Sequence, residues 1–324
     1  MKYKWKYKKN FSADILDQLL LSRGIKEEEK EKFLSPNWDR DIYDPFLFRQ
    51  MPQAINAVFK AIENDKNIVI HGDYDADGIS GASLLYTTLK EIIEKSRSKA
   101  KVEVFLPDRE EDGYGVAEHT VDRFITERQD LLITVDCGIA NADSLDKAAA
   151  AGIDVIICDH HQLGERLPKN AIIIHPLAPK ETYPNKYLCG TGVAFKLATA
   201  LIAKSRERGL DFVDGWEKWL TDFVAIATVT DVMPLTGENR VLEKFGLITL
   251  NKTRRPGLRQ IIALSGTELG SIDTQTIGFR IGPRLNAAGR IGKAITAFKT
   301  LTAKNQEEAE RFASELEILN RERQ

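Results

Sequence analysis

Between residues 67 and 175, short apolar runs repeatedly end in polar clusters. Ile68-Val69-Ile70 leads into His71-Gly72-Asp73-Tyr74-Asp75-Ala76-Asp77-Gly78, and Val155-Ile156-Ile157-Cys158 leads into Asp159-His160-His161. A near-continuous Val/Ile/Leu run reads as a strand buried on both faces. Carboxylates and imidazoles gathered where such strands end need cations to hold them together. This one feature predicts an architecture and a metal site, with enough donors for two metals.

The candidate strands are 67–71, 101–106, 131–136, 154–158 and 171–175, with helical patterns over 78–94, 116–127 and 141–151 between them. Strand-helix alternation predicts an α/β fold with a parallel sheet flanked by helices. Right-handed crossovers put a ligand crevice at the carboxyl ends of the strands, where all the acidic clusters fall. After about residue 190 the pattern becomes mostly helical, over 191–207, 215–228, 238–251 and 257–265. The reading divides the chain into an N-terminal extension (1–50), a catalytic domain (51–250), a helical remainder (251–304) and the start of a long helix (305–324). Ala309, Phe312, Ala313, Leu316 and Leu319 give that last segment its helical spacing, and it ends without a glycine or proline stop. We read it as a helix cut within its length.

The 324 residues suffice for a large core, and no apolar run reaches membrane-spanning length. Three scattered cysteines, Cys137, Cys158 and Cys189, argue against a disulfide framework and for a reducing cytoplasm. Cys137 and Cys158 adjoin Asp136 and Asp159 but should face the opposite way, into the core. A net charge of −2 does not mark a nucleic-acid binder. Two bound divalent cations would add about +4 to the acidic face, and local patches rather than the total attract phosphates.

The His71–Gly78 run competes with a calcium-loop reading. Asp73, Asp75, Asp77 and Gly78 match the first half of such a loop, but its twelfth position is Leu84 rather than glutamate. Asp136, in Thr134-Val135-Asp136-Cys137-Gly138, is a second carboxylate at a strand end, where helix capping is the plain alternative. Asp231 follows the apolar helical run 223–229, and an aspartate at a helix C-terminus opposes the macrodipole. A nearby cation would reward it. His71, Asp75, Asp77, Asp136, His160 and Asp231 together supply two sites of mixed oxygen and nitrogen donors. Without cysteine these favour manganese or magnesium over structural zinc. Paired metals about 3.5–4 Å apart suit in-line displacement at phosphorus.

The segments HGDYDADGISG, TVDCGI, DHH, VTDVMPL and IGPRLNAAGRIG, in this order, resemble the DHH phosphoesterase superfamily and, within it, the bacterial RecJ branch of single-strand-specific DNA exonucleases. The resemblance runs from about residue 50 to the end. It implies a five-stranded parallel sheet of order 2-1-3-4-5, Mn²⁺ or Mg²⁺, and stepwise 5′→3′ release of nucleotides from single-stranded DNA in repair and recombination. By motif position, His71, Asp75 and Asp136 would hold one metal. Asp77, Asp136, His160 and Asp231 would hold the other, and His161 would contact the scissile phosphate. Asp73 and Asp159 would support the ligands or orient water. The resemblance further implies a cytoplasmic monomer away from membranes, with a single-strand-binding protein or helicase as partner. The family's glycine-rich second domain, often called DHHA1, has no match in this chain.

Arg109, before the glycine loop Asp112-Gly113-Tyr114-Gly115, and Arg280, Arg284, Asn286 and Arg290 in the 278–290 segment are candidate substrate contacts. A surface arginine beside a turn fits Arg109 equally. His119 and His175 read as structural. The Lys-Tyr-Lys-Trp-Lys-Tyr-Lys start suits an edge strand packing its aromatics better than a base-stacking surface. Two other functions fit the same motifs: a phosphodiesterase on short oligonucleotides or cyclic dinucleotides, and a non-enzymatic replication scaffold. A scaffold would have lost ligands, and every expected ligand is present.

Overall fold

The computed structural model describes residues 14–323, so the lysine-aromatic start lies outside the described residues. Five strands, β1 (Asn67–Gly72), β2 (Lys101–Phe105), β3 (Leu131–Val135), β4 (Asp154–Cys158) and β5 (Ala171–Ile174), form one sheet. All neighbours are parallel, in the order β2-β1-β3-β4-β5, as the motif resemblance implies.

Side chains alternate between two cores with the strand period of two. Ile68, Ile70, Leu131, Ile133, Val135, Ile156 and Cys158 enter the larger core. Val69, Leu132, Val155 and Ile157 enter the smaller one with Cys137. Both cysteines pack as the alternation predicts, and all three are buried free thiols.

The register sets the site. Gly72 lies level with Val135, and Val135 with Cys158. The ladder continues one residue past each strand: the N–H of Asp73 bonds Val135 O at 3.1 Å, that of Asp136 bonds Cys158 O at 2.9 Å, and that of Asp159 bonds Ile174 O at 3.3 Å. Three aspartates therefore stand in a row along the carboxyl edge.

In chain order the early helices are α1 (Ile15–Ser22), α2 (Glu27–Leu34), α3 (Trp38–Asp41), α4 (Met51–Glu63), α5 (Ala76–Ser96), α6 (Glu118–Thr126) and α7 (Ala142–Ala150). Those after the sheet are α8 (Gly190–Glu207), α9 (Thr221–Thr230), α10 (Gly237–Leu250) and α11 (Pro256–Leu264), then α12 (Thr274–Thr276), a π turn (Ile277–Ile281), α13 (Gly282–Arg290), α14 (Ala294–Leu301) and α15 (Gln306–Arg323). Val121 and Phe124 of α6 and Leu145 and Ala148 of α7 cover the smaller core, and α4, α5, α8 and α9 line the larger one.

The helix expected over 215–228 is broken. A 3₁₀ turn at Trp216–Leu220 precedes α9, and at the junction both the backbone N–H and the hydroxyl of Thr221 donate to Lys218 O, the hydroxyl at 2.6 Å. In α15, Ala309, Ala313, Leu316 and Leu319 are buried as their spacing predicts. No helix among the described residues is long and apolar enough to cross a membrane.

Candidate metal centre

Each cluster is held by backbone geometry the sequence dictates. Asp75 caps α5, its Oδ1 accepting the N–H groups of Asp77 at 2.9 Å and Gly78 at 3.1 Å. Asp77, the second residue of α5, reaches the start of α8: its two oxygens accept the N–H groups of Gly190 and Thr191, both at 2.7 Å. A helix N-terminus suits an anion. Gly190 is required there, because a Cβ would lie 2.5 Å from Cβ of Asp136. Asp136 itself turns the chain after β3 with φ of +62°, a conformation aspartate tolerates and functional sites often use.

Asp159 organises the histidine pair. Its Oδ1 accepts the N–H of His160 at 2.7 Å and of His161 at 3.1 Å, and Nδ1 of His161 at 2.8 Å. Its Oδ2 accepts Ile139 N–H at 3.0 Å. Burial alone would raise Asp159, but the His161 bond and that N–H outweigh it and bring the pKa down to about 2. The same bond raises the pKa of His161.

His160 turns inward. Its Nε2 lies 3.1 Å from Asp136, 3.6 Å from Asp231 and 3.8 Å from Asp77. Three groups of ligating atoms lie within 4.8 Å of one another: Asp136, His160 and His161; Asp77, His160 and Asp231; and Asp73, Asp75 and Asp136. Asp136 belongs to two of them.

His71, which the resemblance would make a ligand with Asp75 and Asp136, lies outside these three groups, while Asp73 joins Asp75 and Asp136 in one of them. The His71 ring is enclosed by Phe105 and Phe124, with Nδ1 3.5 Å from the Cys137 sulfur. Burial lowers its pKa to about 4 and leaves its Nε2 buried without a partner.

Four other buried atoms of the cluster also lack hydrogen-bond partners: Oδ1 of Asp73, Oδ1 of Asp136, Nε2 of His160 and Oδ2 of Asp231. Orphaned buried groups are rare in folded proteins, and four lie within these three groups. Burial and then the neighbouring carboxylates raise Asp73 and Asp231 to about 7, and Asp136 well above its ordinary range. Crowded acceptors without donors are what divalent cations fit, and an oxygen and nitrogen set suits manganese or magnesium.

The softer contacts divide. Arg109 is exposed, its guanidinium 5.8 Å from the Tyr74 ring beside the carboxylate loop. Arg280 is exposed, with Nη1 3.2 Å from the Thr267 hydroxyl. Arg284 is turned inward. It pairs with Glu317 at 2.7 Å and donates to Arg280 O and Leu264 O, which joins α13 to α15 and α11 rather than presenting a free fork to a phosphate. Asn286 accepts the Ala76 N–H, so its carbonyl braces the carboxylate loop. Nε2 of His175 lies 2.8 Å from His161 O.

Sequence reasoning missed two features. Gly190 and Thr191 cradle Asp77, and the small-residue helix start Cys189-Gly190-Thr191-Gly192 was a usable signal. Tyr114 stands edge-on to the His161 ring, with centroids 5.7 Å apart. Nothing but its glycine neighbours marked it in the sequence.

A parallel sheet carrying this cluster at its carboxyl edge defines the class: the chain belongs to the DHH family, whose N-terminal domain matches residues 67–228. It is 40% identical over 311 residues to the single-stranded-DNA-specific exonuclease RecJ of Bacillus subtilis (strain 168), covering 96% of this chain and 37% of that protein. It is 32% identical over 319 residues to RecJ of Escherichia coli (strain K12), covering 95% of this chain and 53% of that protein. The chain thus spans about a third to a half of these curated relatives. The crystal structure of exonuclease RecJ bound to manganese is similar with a TM-score of 0.75 at 35% identity, covering 87% of this chain and 68% of that one. RecJ from Thermus thermophilus in complex with Mn²⁺ also gives 0.75, at 32% identity, covering 94% and 41%.

Proposed function

We propose that the chain hydrolyses phosphodiester bonds of single-stranded DNA as a 5′→3′ exonuclease that uses two divalent cations, Mn²⁺ or Mg²⁺. The observation that carries the reading is the convergence of four buried, unpartnered donor atoms, of Asp73, Asp136, His160 and Asp231, at the carboxyl edge of the sheet and the end of α9. The names of the similar proteins support the substrate, and the manganese-bound structures support the cations. The direction of degradation and the role in repair and recombination rest on the motif resemblance.

Asp73, Asp75 and Asp136 form one half of the metal site, and Asp77, His160 and Asp231 the other, with Asp136 shared. When bound, the two metals supply an activated water and neutralise charge developing at the phosphoryl group. Asp159 holds the His161 ring through Nδ1 and raises its pKa; in the protonated ring Nε2 is a donor too, free to bond a phosphate oxygen. Arg109 stands where a phosphate entering over Tyr74 would meet it.

The test is a 3′-labelled, 5′-phosphorylated single strand incubated with Mn²⁺. Stepwise shortening from the 5′ end is expected with the parent protein, and complete loss of shortening in Asp136→Ala purified in parallel. Preference for dinucleotides over long strands would overturn the substrate assignment and favour the short-oligonucleotide reading.

A further inference from the structure

Beside Asp231 the surface opens into a cleft of about 500 Å³, lined by Val232, Gln275, Phe279, Asn286 and Arg290 among others. Phe279 and Gln275 also line a second cleft of about 400 Å³, which holds Arg280, Glu268 and Asp273. Phe279 therefore stands as a partition between two depressions. It is 78% exposed, more than any other aromatic among the described residues.

The backbone explains the exposure. Phe279 is the middle residue of the π turn, whose ends Ile277 and Ile281 are fully buried. The two isoleucines anchor the turn and leave the phenyl ring outside. π turns are uncommon and concentrate at functional sites. The ring fills no core position, so packing does not account for a phenylalanine here.

The first cleft adjoins the metal centre through the residues on either side of Asp231. Thr230 and Val232, which flank Asp231, form part of its wall, and Asn286 in the same wall bonds the carboxylate loop through Ala76.

We propose that Phe279 is a stacking platform for an unpaired nucleobase, and that the clefts it separates take the bases of successive nucleotides of a single strand. This rests on the functional reading above and deepens it. Every base offers a π face, so a bare aromatic ring binds single strands without regard to sequence. Bases inside a duplex already stack on one another and cannot reach the ring. Arg290 in the first cleft and Arg280 in the second supply positive charge for the adjoining phosphates. Glu268 and Asp273 turn the backbone of the strand away from the floor of the second cleft, toward Arg280. Gln275 and Asn286 offer amides to base edges without fixing one base.

The experiment compares the protein with Phe279→Ala and Phe279→Trp on oligothymidylate and on the same strand with abasic residues near its 5′ end, in Mn²⁺. The alanine variant is expected to raise KM for oligothymidylate on the order of tenfold, with the change in KM rather than kcat, and tryptophan to restore it. On the abasic strand the alanine variant and the parent protein should share one raised KM. Equal KM values for the parent and the alanine variant on oligothymidylate would overturn the platform. If the parent protein leaves the strand uncut, the functional reading fails instead. Fluorescence anisotropy of the labelled strand then decides the platform alone: weaker binding by the alanine variant supports it, and equal binding overturns it.

Discussion

Asn286 accepts the backbone N–H of Ala76 at 2.7 Å, joining residues 210 positions apart. The bond ties α13 to the loop that carries Asp73, Asp75 and Asp77. Replacing Asn286 with alanine leaves that N–H without its partner, at a cost of about 1–3 kcal/mol. Denaturant unfolding should show the lower stability, and manganese titration should show weaker binding in the same variant.

Gly289 holds the same junction from the other side. A Cβ there would lie 1.9 Å from the Tyr74 carbonyl oxygen, so either α13 or the carboxylate loop must move. Gly289→Ala should lower hydrolysis by more than about tenfold, since small displacements of reacting groups are that costly. Steady-state rates alongside circular dichroism check this, because the helical content should stay unchanged.

Asp159→Asn retains the shape of the side chain but replaces an acceptor oxygen with an amide that opposes donors. The His160 and His161 N–H groups and the His161 ring converge on one oxygen, and Ile139 bonds the other. Partners that orient metal-site residues are worth about 10–100-fold in metal affinity or activity. A loss of that size in kcat is expected. The His161 ring should also titrate lower by NMR, since its raised pKa depends first on the Asp159 bond.

Metal binding should strengthen as pH rises through about 7. Asp73 and Asp231 hold protons up to that point because burial and neighbouring carboxylates raise them, and a cation must displace those protons. The folded pKa values lie above the unfolded ones, so the metal-free protein loses stability as pH rises from about 4 toward 7. The Tm increase caused by Mn²⁺ should therefore be larger at pH 8 than at pH 6. Thermal scans with and without metal at the two values check it.

Away from the site, Glu243 is buried with both carboxylate oxygens unpartnered, and burial raises its pKa to about 8. The folded state keeps its proton, whereas the unfolded chain loses it near the ordinary value of about 4.3. Stability from this group is complete below that value and falls as pH rises to about 8. Glu243→Gln should be little changed at pH 5 and should raise Tm by about 3 °C or more at pH 8.

The sheet was legible because buried parallel strands are continuous apolar runs, and Leu131–Val135 and Asp154–Cys158 need no long-range information. The polar ends were legible for the same reason, since Asp73, Asp136 and Asp159 each follow a strand. What the sequence could not show is which donor faces which. His71 and Asp73 are two residues apart and point the same way by strand periodicity, but Phe105, Phe124 and Cys137 enclose His71 while Asp73 meets Asp75 and Asp136. The 278–290 segment was equally opaque. It falls in the expected helical remainder, but the π turn that opens it and its packing against Tyr74 and α15 rest on long-range contacts. Arg284 turned inward because its partner, Glu317, lies 33 residues away on α15.

The central claim is that this strand edge holds two cations sharing Asp136. Anomalous diffraction from crystals soaked in manganese tests it directly. Two peaks about 3.5–4 Å apart are expected, one among Asp73, Asp75 and Asp136 and the other among Asp77, His160 and Asp231. A single peak, or none at these residues, would contradict the account.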